Sequence, residues 1–131
     1  MQTPNEDKTG NMIMSEGYCD VEAGAFEEND FSPWISRADL QIVFDDLKKG
    51  DYFAYVEGRN NGGFQQYRHV TKKFVEDEYV DWAIFWALTQ DQFYKVDLKM
   101  GKSGYVRLRM QVFEDSAGVA YHQVLWVKPK D

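Results

Sequence analysis

From Val80 onward the apolar residues of this chain recur largely at every second position, and that alternation constrains the fold more than any other feature. Val106, Leu108, Met110 and Val112 are separated by Arg107, Arg109 and Gln111, and Ala120, His122, Val124 and Trp126 keep the same even parity. Successive side chains of a strand point to opposite faces, so a period of two marks strands with one face turned to a core. Tyr94, Val96, Leu98 and Met100 alternate with Lys95, Asp97 and Lys99 and predict a further strand. In 79–89 the residues Val80, Trp82, Ile84, Trp86 and Leu88 share one face, and the Trp and Ile content favours a strand over a helix. Residues 51–57 read as an aromatic-rich strand, with 64–75 as its partner across the glycine- and asparagine-rich turn at 58–63.

For neighbouring strands to share even parity, the loops between them need an odd number of residues. Lys102-Ser103-Gly104 and the segment 114–118 both meet that need, each with a glycine for the left-handed position. A slip by one residue would turn the whole apolar set outward, so the register is well specified.

Only one segment before residue 51 carries a helical period. Ser36 is suited to an N-cap, with Asp39 three residues on, and Leu40, Val43, Phe44 and Leu47 follow the i, i+3, i+4, i+7 spacing. Lys48, Lys49 and then Gly50 suit the end of a helix, which predicts one over 37–49. The expected fold class is therefore α+β: one helix packed on the even face of an antiparallel meander of about six strands. That order resembles the helix-plus-curved-sheet architecture of the cystatin-like and NTF2-like group, an analogy of layout that carries no shared motif.

The charge is placed as unevenly as the hydrophobicity. Residues 1–33 hold Glu6, Asp7, Glu16, Asp20, Glu22, Glu27, Glu28 and Asp30 against Lys8 alone, which accounts for the whole net charge of −7. The division is thus an acidic arm over 1–33, flexible or loosely docked, and a single neutral domain over 34–131.

Motifs for chemistry are sparse. Gly101-Lys102-Ser103 resembles the end of a phosphate-binding loop, but Val96 stands where that motif needs glycine. His69, His122 and Cys19 lack metal-ligand spacing, and no nucleophile context surrounds the serines, so neither metal nor cofactor is expected and binding is favoured over catalysis. No run of about 18 apolar residues is present to span a membrane. A polar, acidic start without secretory character and a lone cysteine lead to a cytoplasmic expectation.

Two binding sites are legible. The odd face carries Phe85, Phe93, Tyr105, Phe113, Tyr121, Leu125 and Val127 among Lys95, Lys99, Arg107 and Arg109. Aromatic residues with arginine mark interfaces, so Arg107, Arg109, Phe113 and Tyr121 are the candidate protein-binding patch, with Glu22, Glu27 and Glu28 steering a basic partner. The other explanation for that face is that the arm or a curled sheet covers it. The acidic net charge argues against a nucleic-acid partner, while the exposed edges of a meander allow a homodimer. The second site is a small-molecule pocket between helix and sheet, walled by Phe44, Trp82, Trp86, Met110 and Trp126 with His122 as polar anchor. Against it stands the reading of His122 as a core histidine held by one hydrogen bond.

Overall fold

Ser36 begins the first helix as its sequence predicts: its Oγ accepts the Asp39 N–H at 3.1 Å. The computed structural model describes residues 26–130. Helix α1 runs over Arg37–Asp45, with Leu40 fully buried and Val43, Phe44 and Leu47 packed on the same core. It stops short of the predicted residue 49. Asp45 and Asp46 place carboxylates at the negative end of the helix dipole, and the Leu47 N–H already bonds three residues back, to the Phe44 carbonyl at 3.2 Å. Gly50, at φ 91°, then hands the chain to the first strand.

Strands β1 (Asp51–Asn61) and β2 (Phe64–Lys73) form one antiparallel hairpin. Strands β3 (Tyr79–Leu88), β4 (Val106–Glu114) and β5 (Ala120–Pro129) form a second antiparallel sheet in the order β3-β5-β4. The protein is thus α+β, but the single six-strand meander is corrected to five strands in two sheets among the described residues.

The missing strand is a helix. Residues expected to alternate as 94–100 lie in α2 (Gln90–Lys102). A capping box decides the matter: Thr89 Oγ1 accepts the Gln92 N–H at 3.4 Å, and Gln92 Oε1 accepts the Thr89 N–H at 3.0 Å. Phe93, Val96 and Met100, spaced i, i+3, i+7, turn inward, whereas Tyr94 and Leu98 are 46% and 63% exposed. The loop Lys102-Ser103-Gly104 closes this helix and not a hairpin. Gly104 sits at φ 89°, with the Tyr105 N–H on the Met100 carbonyl at 3.0 Å and the Gly104 N–H on the Gly101 carbonyl at 3.1 Å, a Schellman ending. The expected turn at 114–118 does join two strands, β4 and β5, with Gly118 at φ 83°.

These corrections rearrange the layers. Central strand β5 is buried on both faces through Gln123, Val124, Leu125, Trp126 and Val127. Its even residues Val124 and Trp126 pack with Leu88, Phe93 and Met100 under α2, and its odd residues Leu125 and Val127 pack with the β1–β2 hairpin and α1. The even face of β5 therefore meets α2 and not α1, and the odd face is covered by the hairpin.

Residues 26–35 belong to this body. Ser32 donates its N–H to the His69 carbonyl at 2.9 Å, and Ile35 exchanges two 2.7 Å backbone bonds with Tyr67, so this stretch covers the outer edge of β2. Phe26 stacks on Tyr55 at 5.7 Å. The last acids of the arm pair with β2, Glu28 with Arg68 at 3.2 Å and Asp30 with Lys72 at 3.0 Å.

Candidate functional site

A groove of about 930 Å3 lies between α1, β3 and α2. Helix α1 lends it Arg37, Ala38, Gln41 and Phe44, which share one helical face. Helix α2 lends Gln92, Lys95 and Val96 from the opposite side, and β3 supplies the floor through Ile84–Leu88. Phe44 meets Trp86 edge-on at 5.7 Å, which fixes the α1 wall to the floor.

The rim is polar and its ionised groups are cationic. Arg37 is held in place: its guanidinium donates to Gln65 Oε1 at 2.7 Å and lies 5.8 Å from the centroid of the Tyr121 ring. Among the described residues no carboxylate forms an ion pair with Lys95. The lining contains no acidic residue among the described residues. An apolar floor between two cations and two amides suits an apolar ligand that also carries acceptor groups or negative charge.

The end of the floor is strained. Ala87 has φ 60°, in the left-handed region that residues with a Cβ rarely adopt, and the β3–β5 register shifts between Phe85 and Leu88. Its N–H donates to Gln123 Oε1 at 2.8 Å. Gln123 is buried, and its Nε2 donates in turn to Gln111 Oε1 at 2.9 Å. The shape of the floor is thus fixed by an amide chain that runs back through the sheet.

The residues of the predicted protein-binding patch are distributed around this body. The register shift between Arg107 and Arg109 sends them to opposite faces. Arg107 Nε lies 3.2 Å from Asp97 Oδ1 under α2, with the side chain 8% exposed. Arg109 donates to the Ala54 carbonyl at 2.8 Å and lies 4.8 Å from the Phe26 ring centroid. Phe113 and Tyr121 do come together, 5.7 Å apart, with Phe113 also against Tyr67 at 5.8 Å. Glu27 is exposed beside the 3₁₀ turn Glu28–Asp30, Glu28 pairs with Arg68, and Glu22 lies outside the described residues.

The predicted pocket divides in two. Phe44, Trp82 and Trp86 gather on the α1 side, with Phe44 5.9 Å from Trp82. Met110, His122 and Trp126 lie under α2. His122 stacks on Phe93 at 4.8 Å and donates from Nδ1 to the Leu88 carbonyl at 3.1 Å, the arrangement of a core histidine. Burial pushes its pKa down, against a smaller upward pull from that carbonyl.

Arg37, Gln41, Gln92, Lys95 and Gln123 were not legible as a site in the sequence. The spacing of Arg37, Gln41 and Phe44 places them on one helix face, but nothing local tells which element stands opposite. Comparison with protein-family models, with curated proteins and with solved structures finds no match.

Proposed function

We propose that the chain is a protein-binding protein, of the inhibitor, immunity-type or adaptor kind, and that the groove between α1 and α2 is its docking site. The observation that carries this reading is the groove itself: a long apolar floor open to solvent, with Arg37 and Lys95 on its walls and, among the described residues, no acid in its lining. Interfaces combine an apolar centre with a polar rim, and aromatic residues with arginine dominate their energetics. Phe44, Phe85 and Trp86 are the aromatic anchors, and Arg37 is the pre-positioned arginine. The acidic arm adds a second selective element, since eight carboxylates against Lys8 speed encounter with a partner that is basic elsewhere on its surface. A cytoplasmic setting fits the single cysteine, Cys19.

The test is site-specific photocrosslinking in the cells that make the protein. Benzoylphenylalanine at Gln41, in the groove wall, is expected to yield a discrete protein adduct. The same group at Asp77, in the exposed turn before β3, is expected to yield none. Equal labelling at both positions, or none at Gln41, would overturn the reading.

A small-molecule site is the second reading, favoured by one observation: about 930 Å3 falls within the size range of ligand pockets. A bound small mass on each chain in native mass spectrometry would move the assignment to it.

A further inference from the structure

The groove touches five residues of β3 in succession, Ile84, Phe85, Trp86, Ala87 and Leu88. Successive strand residues point to opposite faces, so a cleft laid over one face of a sheet would meet every second residue. Ile84 packs on the α1 side and Phe85 lies edge-on to Trp126 on the α2 side, so a cleft that meets both runs along the edge of the strand. Strand β3 is hydrogen-bonded on one side, to β5, and no strand among the described residues pairs with its other side. Helices α1 and α2 flank that free edge as two walls.

Resting on the reading of the groove as a protein-docking site, we infer that it takes an extended segment of the partner as an added strand on β3, and that this segment carries acidic residues at both parities among apolar ones. Edge strands expose unpaired N–H and C=O groups, and addition of a peptide strand satisfies them while side-chain pockets supply specificity. The dimensions agree. At sheet spacings a strand fills roughly 160 Å3 per residue, so about 930 Å3 holds about six residues.

Charge identifies the occupant. Arg37 and Lys95 stand on opposite walls, so acidic side chains of the added strand meet a cation on either side. A second copy of this chain fits poorly. Antiparallel pairing of two β3 edges would bring α1 against α1 and α2 against α2, setting Arg37 and Lys95 against their own copies.

The test uses the full-length chain and a phage-displayed library of random twelve-residue peptides. Enriched sequences are expected to combine β-branched or aromatic residues with Asp or Glu at positions of both parities. Synthetic versions of the best peptide are then N-methylated at alternate positions. Methylation of one parity should weaken binding at least about tenfold per blocked ladder bond, and methylation of the other parity should be tolerated. The surface variant Arg37→Gln/Lys95→Gln should weaken binding about tenfold and flatten its salt dependence. No enrichment, enrichment of basic or helical sequences, or indifference to methylation at both parities would overturn strand addition. If those outcomes appear while the Gln41 crosslink persists, the groove remains the docking site and only the strand mode fails. Loss of the Gln41 crosslink as well would remove both.

Discussion

The side-chain amide of Gln111 bonds both backbone groups of Gly58: Oε1 accepts the N–H at 2.9 Å and Nε2 donates to the carbonyl at 2.9 Å. A side chain on β4 thus takes the place of a neighbouring strand for β1, and it joins the two sheets where no ladder does. Gly58 is required for this approach, because a Cβ there would come within 2.5 Å of the Phe113 ring. Gln111→Leu leaves the buried N–H and carbonyl of Gly58 without a partner, while Gln123 Nε2 keeps the carbonyls of Gln111 and Tyr121. At about 1–3 kcal/mol for each unsatisfied group, the expected loss is about 2–4 kcal/mol. Urea denaturation of the variant measures it, and a loss under about 0.5 kcal/mol would show the amide to be dispensable.

Buried charge at the other edge of the hairpin gives a second prediction. Glu57 is 8% exposed and pairs with Arg68, whose guanidinium also lies 3.8 Å from the Phe31 ring centroid. Arg68→Met leaves the carboxylate buried and unpaired, at a cost of about 3–5 kcal/mol. The double variant Glu57→Met/Arg68→Met removes both charges and is expected to recover at least half of that loss. Chemical denaturation of both proteins gives the coupling, and an equally unstable double variant would locate the stabilisation in packing.

The histidines set the response to mild acid. Burial lowers the pKa of both His69 and His122 below the ordinary imidazole value of 6.5. The unfolded chain therefore binds protons that the folded chain refuses. Stability is fully present above pH 6.5 and is lost as the pH falls toward the depressed folded-state values. A separate loss begins below pH 3.8, where Asp30, its pKa lowered first by the Lys72 hydrogen bond, is protonated more readily in the unfolded chain. Melting temperature against pH should show the first decline below pH 6.5, and His69→Gln/His122→Gln should remove it.

Strain at the groove floor is testable directly. Ala87 at φ 60° carries a left-handed cost of about 1–2 kcal/mol that glycine avoids. Glycine adds about 0.5–1 kcal/mol of unfolded-state entropy, so Ala87→Gly is expected to stabilise by up to about 1 kcal/mol. Gln123→Leu, which orphans the Ala87 N–H, should destabilise by about 1–3 kcal/mol. A destabilised Ala87→Gly variant in thermal melts would mean that the Cβ packs usefully in the bulge.

How much of this was legible depended on whether the deciding signal was local. Helix α1 has its cap at Ser36 and its buried face at Leu40 written into consecutive turns, and Gly118 marks the β4–β5 hairpin in the same way. Helix α2 was hidden because Val96 and Met100 satisfy a period of two as well as 3.6, so Tyr94 and Leu98 could be counted on the wrong face. Only Thr89 with Gln92 separates the readings. Once that strand becomes a helix, the sheet acquires a cover on each side, and the aromatic odd face of β5 has a partner in the β1–β2 hairpin. The groove had no local signal at all. Arg37, Ala87 and Lys95 meet through tertiary packing, and the free edge of a strand is a property of backbone that no side-chain pattern records.

The arm yields the last prediction, because its two ends do different work. Phe26 stacks on Tyr55, Phe31 lies against Arg68, and Asp30 pairs with Lys72, so residues 26–33 are part of the folded body. Residues 1–25 contribute Glu6, Asp7, Glu16, Asp20 and Glu22 against Lys8, the larger share of the steering charge. Deletion of 1–33 should therefore leave a protein less stable than deletion of 1–25 by about 3 kcal/mol or more, the burial of two aromatic side chains. Deletion of 1–25 is the clean test of steering: association with a basic partner should slow and lose part of its salt dependence, while Glu28 and Asp30 stay on β2. Stopped-flow association at two ionic strengths reads the effect. An unchanged rate and salt slope would confine the role of the arm to its last eight residues, which act by covering the edge of β2 and not by drawing a partner in.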